Sequence, residues 1–261
     1  MKRFLLHFLL ACFLINCSSR DEDNNENVTA TVLPKTLKSK HSLGDLISEY
    51  QYDRNKIKSV TISNGSKSQI TYAGNFITKV VSYDSSGAVT SEFNYEYKNN
   101  RLSKTNYKIG LLTANIYYTW IDDNHVSFEN DLYRPNNATD KTDLYFSNGN
   151  VVKSTNHTYY PNNYTIDKVD IIENDNRNNP FKNVEGYSLI AFDITADFFY
   201  QSNNILKITT TRTGIVNGEP LSENYHRNFQ LSYTDKNYPQ SYVVNSSYGY
   251  TTSYEFRYFE N

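Results

Sequence analysis

Hydrophobic and polar residues alternate over short stretches along most of the chain, and turn-forming residues separate these stretches. Residues 95–104 are the clearest case. An alternating run ends at Tyr97, the pair Asn99 and Asn100 follows, and Leu102 restarts the alternation. Alternation with a period of two is typical of β-strands, and asparagine tolerates the positive φ angles of a tight hairpin. This stretch therefore predicts two antiparallel strands joined by a short turn.

The same arrangement recurs as an aromatic residue, a short spacer, Asn, one further residue and an aliphatic residue. Its copies begin, 20 to 26 residues apart, at Tyr52, Tyr72, Tyr97, Trp120 and Phe146. Another copy begins at Tyr200, and a decayed copy begins at Tyr233, where Pro239 replaces the aliphatic residue. A fixed distance from aromatic to aliphatic holds the strand register, so each hairpin presents the same face to the core. Regular spacing of this kind predicts a repeat of β-hairpins.

The predicted fold class is all-β, an extended and curved antiparallel meander of repeated β-hairpins, with a closed β-barrel as the alternative. Hydrophobic residues make up 38% of the chain and the mean hydropathy is −0.67, so few apolar side chains are available to form a thick core. The 24 Tyr and 14 Phe residues suit a thin aromatic core whose hydroxyl groups reach water. An all-β chain of this length can form one domain, which we predict over residues 43–261.

The repeat is interrupted over residues 160–195. A polar loop over 174–183 is followed by the apolar run 187–192. This run is too short for its periodicity to be decisive. A short helical turn near 184–194 and a buried strand are both compatible with it. Long irregular insertions often carry function, so we expect any catalytic residues in this region.

The N-terminal residues have the pattern of a targeting segment. Lys2 and Arg3 precede an apolar run over residues 4–15, which is shorter than the ~20 residues of a transmembrane helix. The run ends before Cys17 in a setting that resembles the lipobox of bacterial lipoproteins. That resemblance implies a signal peptide over residues 1–16, lipidation of Cys17, and a flexible tether over residues 17–42. An ordinary secretory signal with an incidental cysteine is the other interpretation.

Further resemblances concern location and repeat class. The acidic residues 21–23 directly after Cys17 resemble the surface-export signal of Bacteroidota lipoproteins, while a solvated tether is the simpler interpretation. Residues 50–57 resemble the RHS/YD repeat unit, with Asn in place of its usual Gly. Residues 179–183 look like a segment of uncharacterised Bacteroidota lipoproteins of this type. The resemblance implies an outer-membrane lipoprotein exposed on the cell surface, with a periplasm-facing position as the alternative.

Several function classes are not supported by the sequence. The formal net charge is −2, and it becomes −4 once Lys2 and Arg3 are lost with the signal; no basic stripe is visible, so we expect no nucleic-acid partner. The histidines are isolated, and neither a nucleophile elbow nor a phosphate-binding loop occurs, so we expect no cofactor. Weak candidates for a calcium site, through oxygen ligands, are Asp170, Glu173 and Asp175.

We therefore predict a non-catalytic binding or scaffold module with a membrane anchor. Its partner would be a glycan or another envelope protein, and the candidate binding rings are Tyr118, Trp120, Tyr248 and Tyr250. The alternative for these rings is that they cover a neighbouring strand. The alternative function is a glycoside hydrolase or lyase that uses Glu173 and Asp175. Such an enzyme needs two carboxylates ~5–9.5 Å apart in a cleft.

Overall fold

The computed structural model describes residues 31–41, 44–131, 139–160, 164–190 and 202–259. The predicted signal peptide, Cys17 and the tether up to residue 30 lie outside the described residues. The described part contains sixteen strands and one short helix, in the order β1 Pro34–His41, β2 Gly44–Asp53, β3 Lys56–Ile62, β4 Lys67–Ala73, β5 Phe76–Tyr83, β6 Val89–Lys98, β7 Arg101–Ile109, β8 Leu112–Asp122, β9 His125–Asn130, β10 Thr139–Ser147, β11 Asn150–Tyr160, β12 Tyr164–Asn174, α1 Tyr187–Ile190, β13 Ile205–Val216, β14 Glu219–Tyr233, β15 Pro239–Ser246 and β16 Thr251–Tyr258.

Each strand pairs antiparallel with the next, and β1 pairs with β16, so the sheet closes into a barrel. Closure removes the sheet edges that an open meander would leave unpaired. The all-β antiparallel prediction is confirmed, and of the two predicted shapes the closed barrel is the observed one. Helix α1 lies within residues 184–194, where the sequence is compatible with a helical turn or a buried strand. The structure has the helical turn over Tyr187–Ile190.

The predicted tether is wrong for residues 34–41, which form β1. This strand lacks a visible apolar alternation. Leu37 faces the core beside Ser39, while Lys38 and Lys40 face outward. It is held in place by its neighbours β2 and β16 rather than by its own pattern. Sequence periodicity alone therefore could not identify it.

Every second hairpin turn is a copy of the repeat, so the copies meet at one end of the barrel. In each copy that is fully described, the aromatic residue lies directly across from the aliphatic position, in the pairs Tyr52–Ile57, Tyr72–Ile77, Tyr97–Leu102, Trp120–Val126, Phe146–Val151 and Tyr233–Pro239. The partner of Phe146 is thus Val151, whereas the sequence pattern predicts Val152. A β-bulge accompanies each of these turns, because the register shifts beside the aromatic residue.

Consecutive copies are joined by hydrogen bonds from one aromatic residue to the previous copy. The Tyr97 hydroxyl donates to the carbonyl oxygen of Ile77 over 2.7 Å, and Trp120 Nε1 donates to the carbonyl oxygen of Leu102 over 3.0 Å. The guanidinium of Arg101 lies 4.8 Å from the centroid of the Trp120 ring. The residues that close one hairpin therefore also position the aromatic ring of the next.

Residues 175–190, which we call the plug, interrupt the repeat and enter this end of the barrel, the plug end. Phe181 and Val184 are 3% and 5% exposed and belong to the hydrophobic core. The Phe181 ring packs edge-on against Tyr50, with centroids 5.5 Å apart, and stacks on Tyr187 at 4.7 Å. Burying a large aromatic ring fixes the segment inside the barrel.

Backbone hydrogen bonds tie the plug to turns on different sides of the barrel. The Glu185 N–H donates to the Asn55 carbonyl in the β2–β3 turn, and the Asn178 N–H donates to the Asn237 carbonyl in the β14–β15 turn. Gly186 has a φ of +73°, and a Cβ there would lie 2.6 Å from a carbonyl oxygen of the β4–β5 turn. Only glycine fits this close approach without strain. The plug therefore spans the opening.

The wall of the barrel separates an interior that is apolar in the plug half from a mainly polar exterior, on which apolar residues such as Ile121, Ile171 and Leu206 are also exposed. The buried residues form two clusters, one on β1, β3, β13–β16 and the plug, the other on β7–β11, and Ile172 packs against both. Apart from Pro220, the outward side chains on β14 are polar, namely Ser222, Asn224, His226, Asn228, Gln230 and Ser232. Outward ion pairs cross between strands, as Lys79 does to Glu92 over 2.9 Å. Among the described residues, no helix is long and apolar enough to cross a membrane.

Candidate functional site

The lumen changes character from the plug end to the opposite end, which we call the far end. On β12 and β13 the inward cross-strand pairs are, in this direction, Ile172–Ile208, Asp170–Thr210 and Lys168–Arg212. Their inward orientation follows from the two-residue alternation, because Ile208, Thr210 and Asp170 are at most 8% exposed. Across these pairs the interior passes from aliphatic to charged within five residues of each strand, and the next inward residue of β12, Ile166, is apolar and buried.

Asp170 is a buried carboxylate with partners on both oxygen atoms. The Thr210 hydroxyl donates to Oδ1 over 2.6 Å, and Lys168 Nζ lies 2.8 Å from Oδ2. A buried charge is tolerated when it is paired in this way. The Lys168 side chain stays 34% exposed although it points inward. Solvent therefore reaches this part of the lumen.

A second charged pair lies one strand further. Arg212 on β13 donates through one terminal nitrogen to a Glu223 carboxylate oxygen on β14 over 2.8 Å. The side chains are 31% and 40% exposed, so this pair is only partly removed from water. A guanidinium carries five N–H donors in a rigid plane, so groups remain for a bound molecule.

The polar wall continues on the other side of β12 with amide and hydroxyl groups. Asn156 on β11 lies across from Lys168 and donates to the Thr142 hydroxyl over 3.0 Å. The Thr158 hydroxyl donates to the side-chain oxygen of Asn156 over 2.9 Å, and it lies 3.2 Å from a carboxylate oxygen of Asp140. Strands β10–β14 therefore present one continuous hydrogen-bonding surface to the lumen.

Small side chains line the opposite wall. The inward residues paired across β4, β5 and β6 are Ser68, Ser82 and Ser91. Ser48 on β2 is separated from them by the inward residues Val60 and Ile62 of β3. The hydroxyl oxygens of Ser68 and Ser82 lie 3.0 Å apart. Strand β4 is eight strands from β12 in the ring of sixteen, so the serines face the charged wall across the lumen. Small residues there leave room for a ligand.

Tyrosine rings form a lip beside the Arg212–Glu223 pair. Tyr225 faces inward two residues after Glu223 on β14. The ring of Tyr248, in the β15–β16 turn, lies 4.7 Å from the Tyr225 ring, between centroids. Tyr248 is 61% exposed and Tyr250, on the same turn, is 49% exposed. Exposed aromatic faces next to charged donors and acceptors suit a ligand with both apolar and hydroxyl-bearing faces.

Two of the four predicted binding rings belong to the core instead, which corrects the prediction for them. Tyr118 is 7% exposed and packs against Phe128 with centroids 5.4 Å apart. Trp120 stacks on Phe146 at 5.9 Å. Both lie on the inward face of β8, so the alternative interpretation, a ring covering neighbouring strands, applies to them. The outward ring of this stretch is Tyr117, which is 50% exposed.

The three predicted carboxylates are not brought together. Asp170 faces the lumen, whereas Glu173, an odd number of residues later on β12, faces outward. Asp175 accepts hydrogen bonds from the Asn204 backbone N–H over 2.9 Å and from the Tyr233 hydroxyl, and thereby anchors the start of the plug. The three therefore form neither a shared cation site nor a catalytic pair in one cleft. Within the described ranges, no group of three or more His, Cys, Asp or Glu is placed to hold a metal ion.

The charged lumen residues were missed by the sequence reasoning. Three charged residues share a strand face with buried apolar residues, namely Lys168, Arg212 and Glu223. In a sequence, a charge on a strand is ordinarily assigned to the face that contacts solvent. The feature that could have identified them is the two-residue alternation, which places residues an even number of positions apart on the same face of a strand. Arg212 is four residues after Ile208 and therefore shares its face once Ile208 is known to be buried.

Comparisons with known proteins identify a likeness of fold alone. No family model matches the chain, and no curated protein matches it. The crystal structure of a porin-like protein from Bacteroides uniformis matches with a TM-score of 0.48 at 10% identity, over 86% of this chain and 96% of that one. The crystal structure of a porin-like protein from Bacteroides vulgatus matches with a TM-score of 0.60 at 11% identity, over 88% of this chain and 100% of that one. The chain is thus similar in fold to the protein from Bacteroides vulgatus.

Proposed function

We propose that this protein is a lipid-anchored outer-membrane lipoprotein that acts as a non-catalytic binding module, with its ligand held in the far half of the lumen. The observation that carries the proposal is the set of inward charges on β12–β14, formed by Lys168, Asp170, Arg212 and Glu223. Charged side chains are rare in protein interiors unless they are paired or functional. Barrel lumens with a few convergent polar groups are common ligand sites.

The ligand class favoured by this chemistry is a glycan. Carboxylate, amide and guanidinium groups are the usual partners of sugar hydroxyls, and the lip formed by Tyr225 and Tyr248 offers aromatic faces for the apolar side of a sugar ring. The serine wall adds further hydroxyl groups without filling the space. An envelope protein that inserts a polar loop is the alternative partner.

The polarity of the wall supports attachment by lipid at Cys17. Transmembrane barrels carry an outward apolar band. The outward side chains of β4, for example, are Lys67, Gln69 and Thr71, and all are exposed. On β12 the exposed outward Ile171 shares its face with Asp167 and Glu173. Because polar residues interrupt the outward apolar ones in this way, acyl chains on Cys17 would supply the membrane affinity. The acidic residues 21–23 favour the cell surface over the periplasm.

The ligand hypothesis is tested by binding of the purified lipoprotein in detergent to envelope polysaccharide fractions. The double variant Arg212→Gln/Glu223→Gln removes the lumen pair, and Lys79→Gln/Glu92→Gln removes a matched pair on the outer wall. We expect the lumen variant to bind at least tenfold more weakly, since hydrogen bonds to charged groups contribute about 1.5–3 kcal/mol, and the outer variant to bind normally. Equal binding by both variants, or none by the parent, would contradict the proposal.

The anchor is tested by protease treatment of intact cells and by fractionation, with Cys17→Ala as the control. We expect the parent protein to be digested without lysis and to remain with the membrane, and the variant to be released. Membrane retention of Cys17→Ala would rule out anchoring through this residue. Protection of the parent protein from protease would move the barrel to the periplasmic side.

A further inference from the structure

A charged groove of about 800 Å³ lies on the plug end, between β1, β16 and the β14–β15 turn. Its basic lining residues are Lys35, Lys236 and Arg257, and its acidic residue is Asp235. All four are exposed. Among the described residues, none of the three cations forms an ion pair. The groove therefore holds excess positive charge that an anion could neutralise.

This arrangement differs from that of many outer-wall cations, which pair with carboxylates on neighbouring strands. Lys38 lies 2.7 Å from Asp45, and Lys79 lies 2.9 Å from Glu92. Pairing of this kind leaves a surface with little local field. Three basic residues around one groove instead produce a positive potential that attracts anionic partners.

The groove also presents an aromatic ring. Phe259 is 37% exposed, and Lys35 Nζ lies 5.9 Å from its centroid. Tyr258 contributes to the lining as well. A lysine stem or aromatic ring with a charged or polar neighbour is typical of groups placed at a membrane–water interface.

The position of the groove relates it to the predicted anchor. Val32 lines it, and the Phe259 N–H donates to the Leu33 carbonyl over 3.0 Å, so the chain enters the barrel there. Thirteen residues, 18–30, separate Cys17 from the first described residue. A chain of that length spans about 45 Å at most, because an extended residue covers roughly 3.5 Å. A lipid on Cys17 would therefore keep the point where the chain enters the barrel within about 45 Å of the bilayer.

We propose that this groove binds the phosphate headgroup of an anionic phospholipid and so holds the plug end against the membrane, with the far end directed away from it. The orientation rests on the proposed lipid anchor, whereas headgroup binding does not need it. Basic residues near an anionic surface each contribute to binding, and the attraction is screened by salt.

The test uses the chain with Cys17→Ala, which carries no lipid, and vesicles of phosphatidylcholine with or without phosphatidylglycerol. Co-sedimentation is measured for the triple variant Lys35→Gln/Lys236→Gln/Arg257→Gln. The matched control is Lys67→Gln/Lys108→Gln/Lys141→Gln, which removes the same charge from exposed positions on the outer wall towards the far end. Circular dichroism establishes that both variants are folded.

We expect binding to phosphatidylglycerol vesicles only, about a hundredfold weaker in the groove variant and within a few fold of the parent in the control. An equal loss in both variants would mean a general charge effect and would overturn the proposal. Absence of vesicle binding by the Cys17→Ala chain would also overturn it, without affecting the anchor, which fractionation of the lipidated protein tests separately. Full competition by inorganic phosphate at concentrations that leave the ionic strength unchanged would indicate a site for the free ion and would also count against a headgroup site.

Discussion

The two halves of the lumen are built from the same strands but differ in chemistry. In the plug half, aromatic and aliphatic residues from each repeat face one another, and Phe181 fills the space between them. In the far half, serine, amide and charged side chains occupy inward positions on β4–β6 and β10–β14, while buried apolar residues such as Tyr107 and Ala114 line β7 and β8. The repeat spacing therefore fixes closure and packing at one end, while the other end remains available for ligand chemistry.

The largest expected difference between the halves appears at high pH. Burial raises the pKa of Tyr72 to about 12, and burial raises the pKa of Tyr52, Tyr242 and Tyr258 well above the usual value. Unfolded tyrosines ionise near pH 10. Stability from these groups is thus complete below pH 10 and is lost as the pH rises towards the folded-state values.

We therefore expect the barrel to unfold cooperatively above pH 10, with phenolate absorbance and far-ultraviolet circular dichroism changing together. Replacing Tyr72 by Phe should reduce the pH dependence, because one group that favours the unfolded state is removed. A chain that keeps its β-sheet signal with these tyrosines ionised would show that the plug half is not closed to water.

Removing the plug anchor should be the largest effect of a single substitution. Phe181→Ala deletes a ring that is 3% exposed, and it should lower the free energy of unfolding by about 3–5 kcal/mol. The control Tyr248→Ala removes a ring that is 61% exposed in the far half, and it should change stability by less than about 0.5 kcal/mol. Urea unfolding measures both. Similar losses of stability in the two variants would show that the plug half and the far half do not differ in how much their side chains contribute to stability.

A smaller effect is expected for one link between repeats. Tyr97→Phe deletes the hydroxyl that donates to the Ile77 carbonyl over 2.7 Å, and the loss should be about 1 kcal/mol. Tyr117→Phe, on an outward ring of the adjacent region, is the control and should be close to neutral. If both variants unfold at the same urea concentration as the parent, the links between copies contribute no stability.

The smallest effect is expected outside the lumen. Lys79→Ala breaks an ion pair with Glu92 whose side chains are 38% and 34% exposed. Such surface pairs contribute about 0–1 kcal/mol, and salt weakens them. The free energy of unfolding should therefore change less between low and high salt for the variant than for the parent protein. A loss larger than that for Tyr97→Phe would mean that the outer wall carries more of the stability than the comparison implies.

Local physics made the hairpins predictable from sequence, but not their arrangement in the closed ring. The Tyr97–Leu102 spacing already contains the turn, the bulge and the paired core residues. Closure depends on β1 meeting β16, strands that lie at opposite ends of the chain, and β1 has almost no pattern of its own. The predicted break over residues 160–195 includes the regular strand β12 as well as the plug. The role of the plug depends on Phe181 entering the core, which only the tertiary structure shows.

The candidate site was less predictable because it depends on the phase of each strand. In the run from Tyr117 to Trp120, alternation requires that neighbouring rings face opposite sides, but it does not say which ring faces outward. The same uncertainty hid Arg212 and Lys168 among ordinary surface charges. Once Ile208 is fixed as a core residue, the whole face of β13 follows.

The pairing of β1 with two neighbours has a mechanical consequence. A pull on the chain before Pro34 acts along the strand, while the hydrogen bonds to β2 and β16 run across it. Both ladders are therefore loaded in shear, and their bonds share the load instead of breaking one after another as they would when a strand is peeled from a free edge. Whatever holds the N-terminal segment thus pulls on the barrel in the direction in which its wall resists extension most strongly.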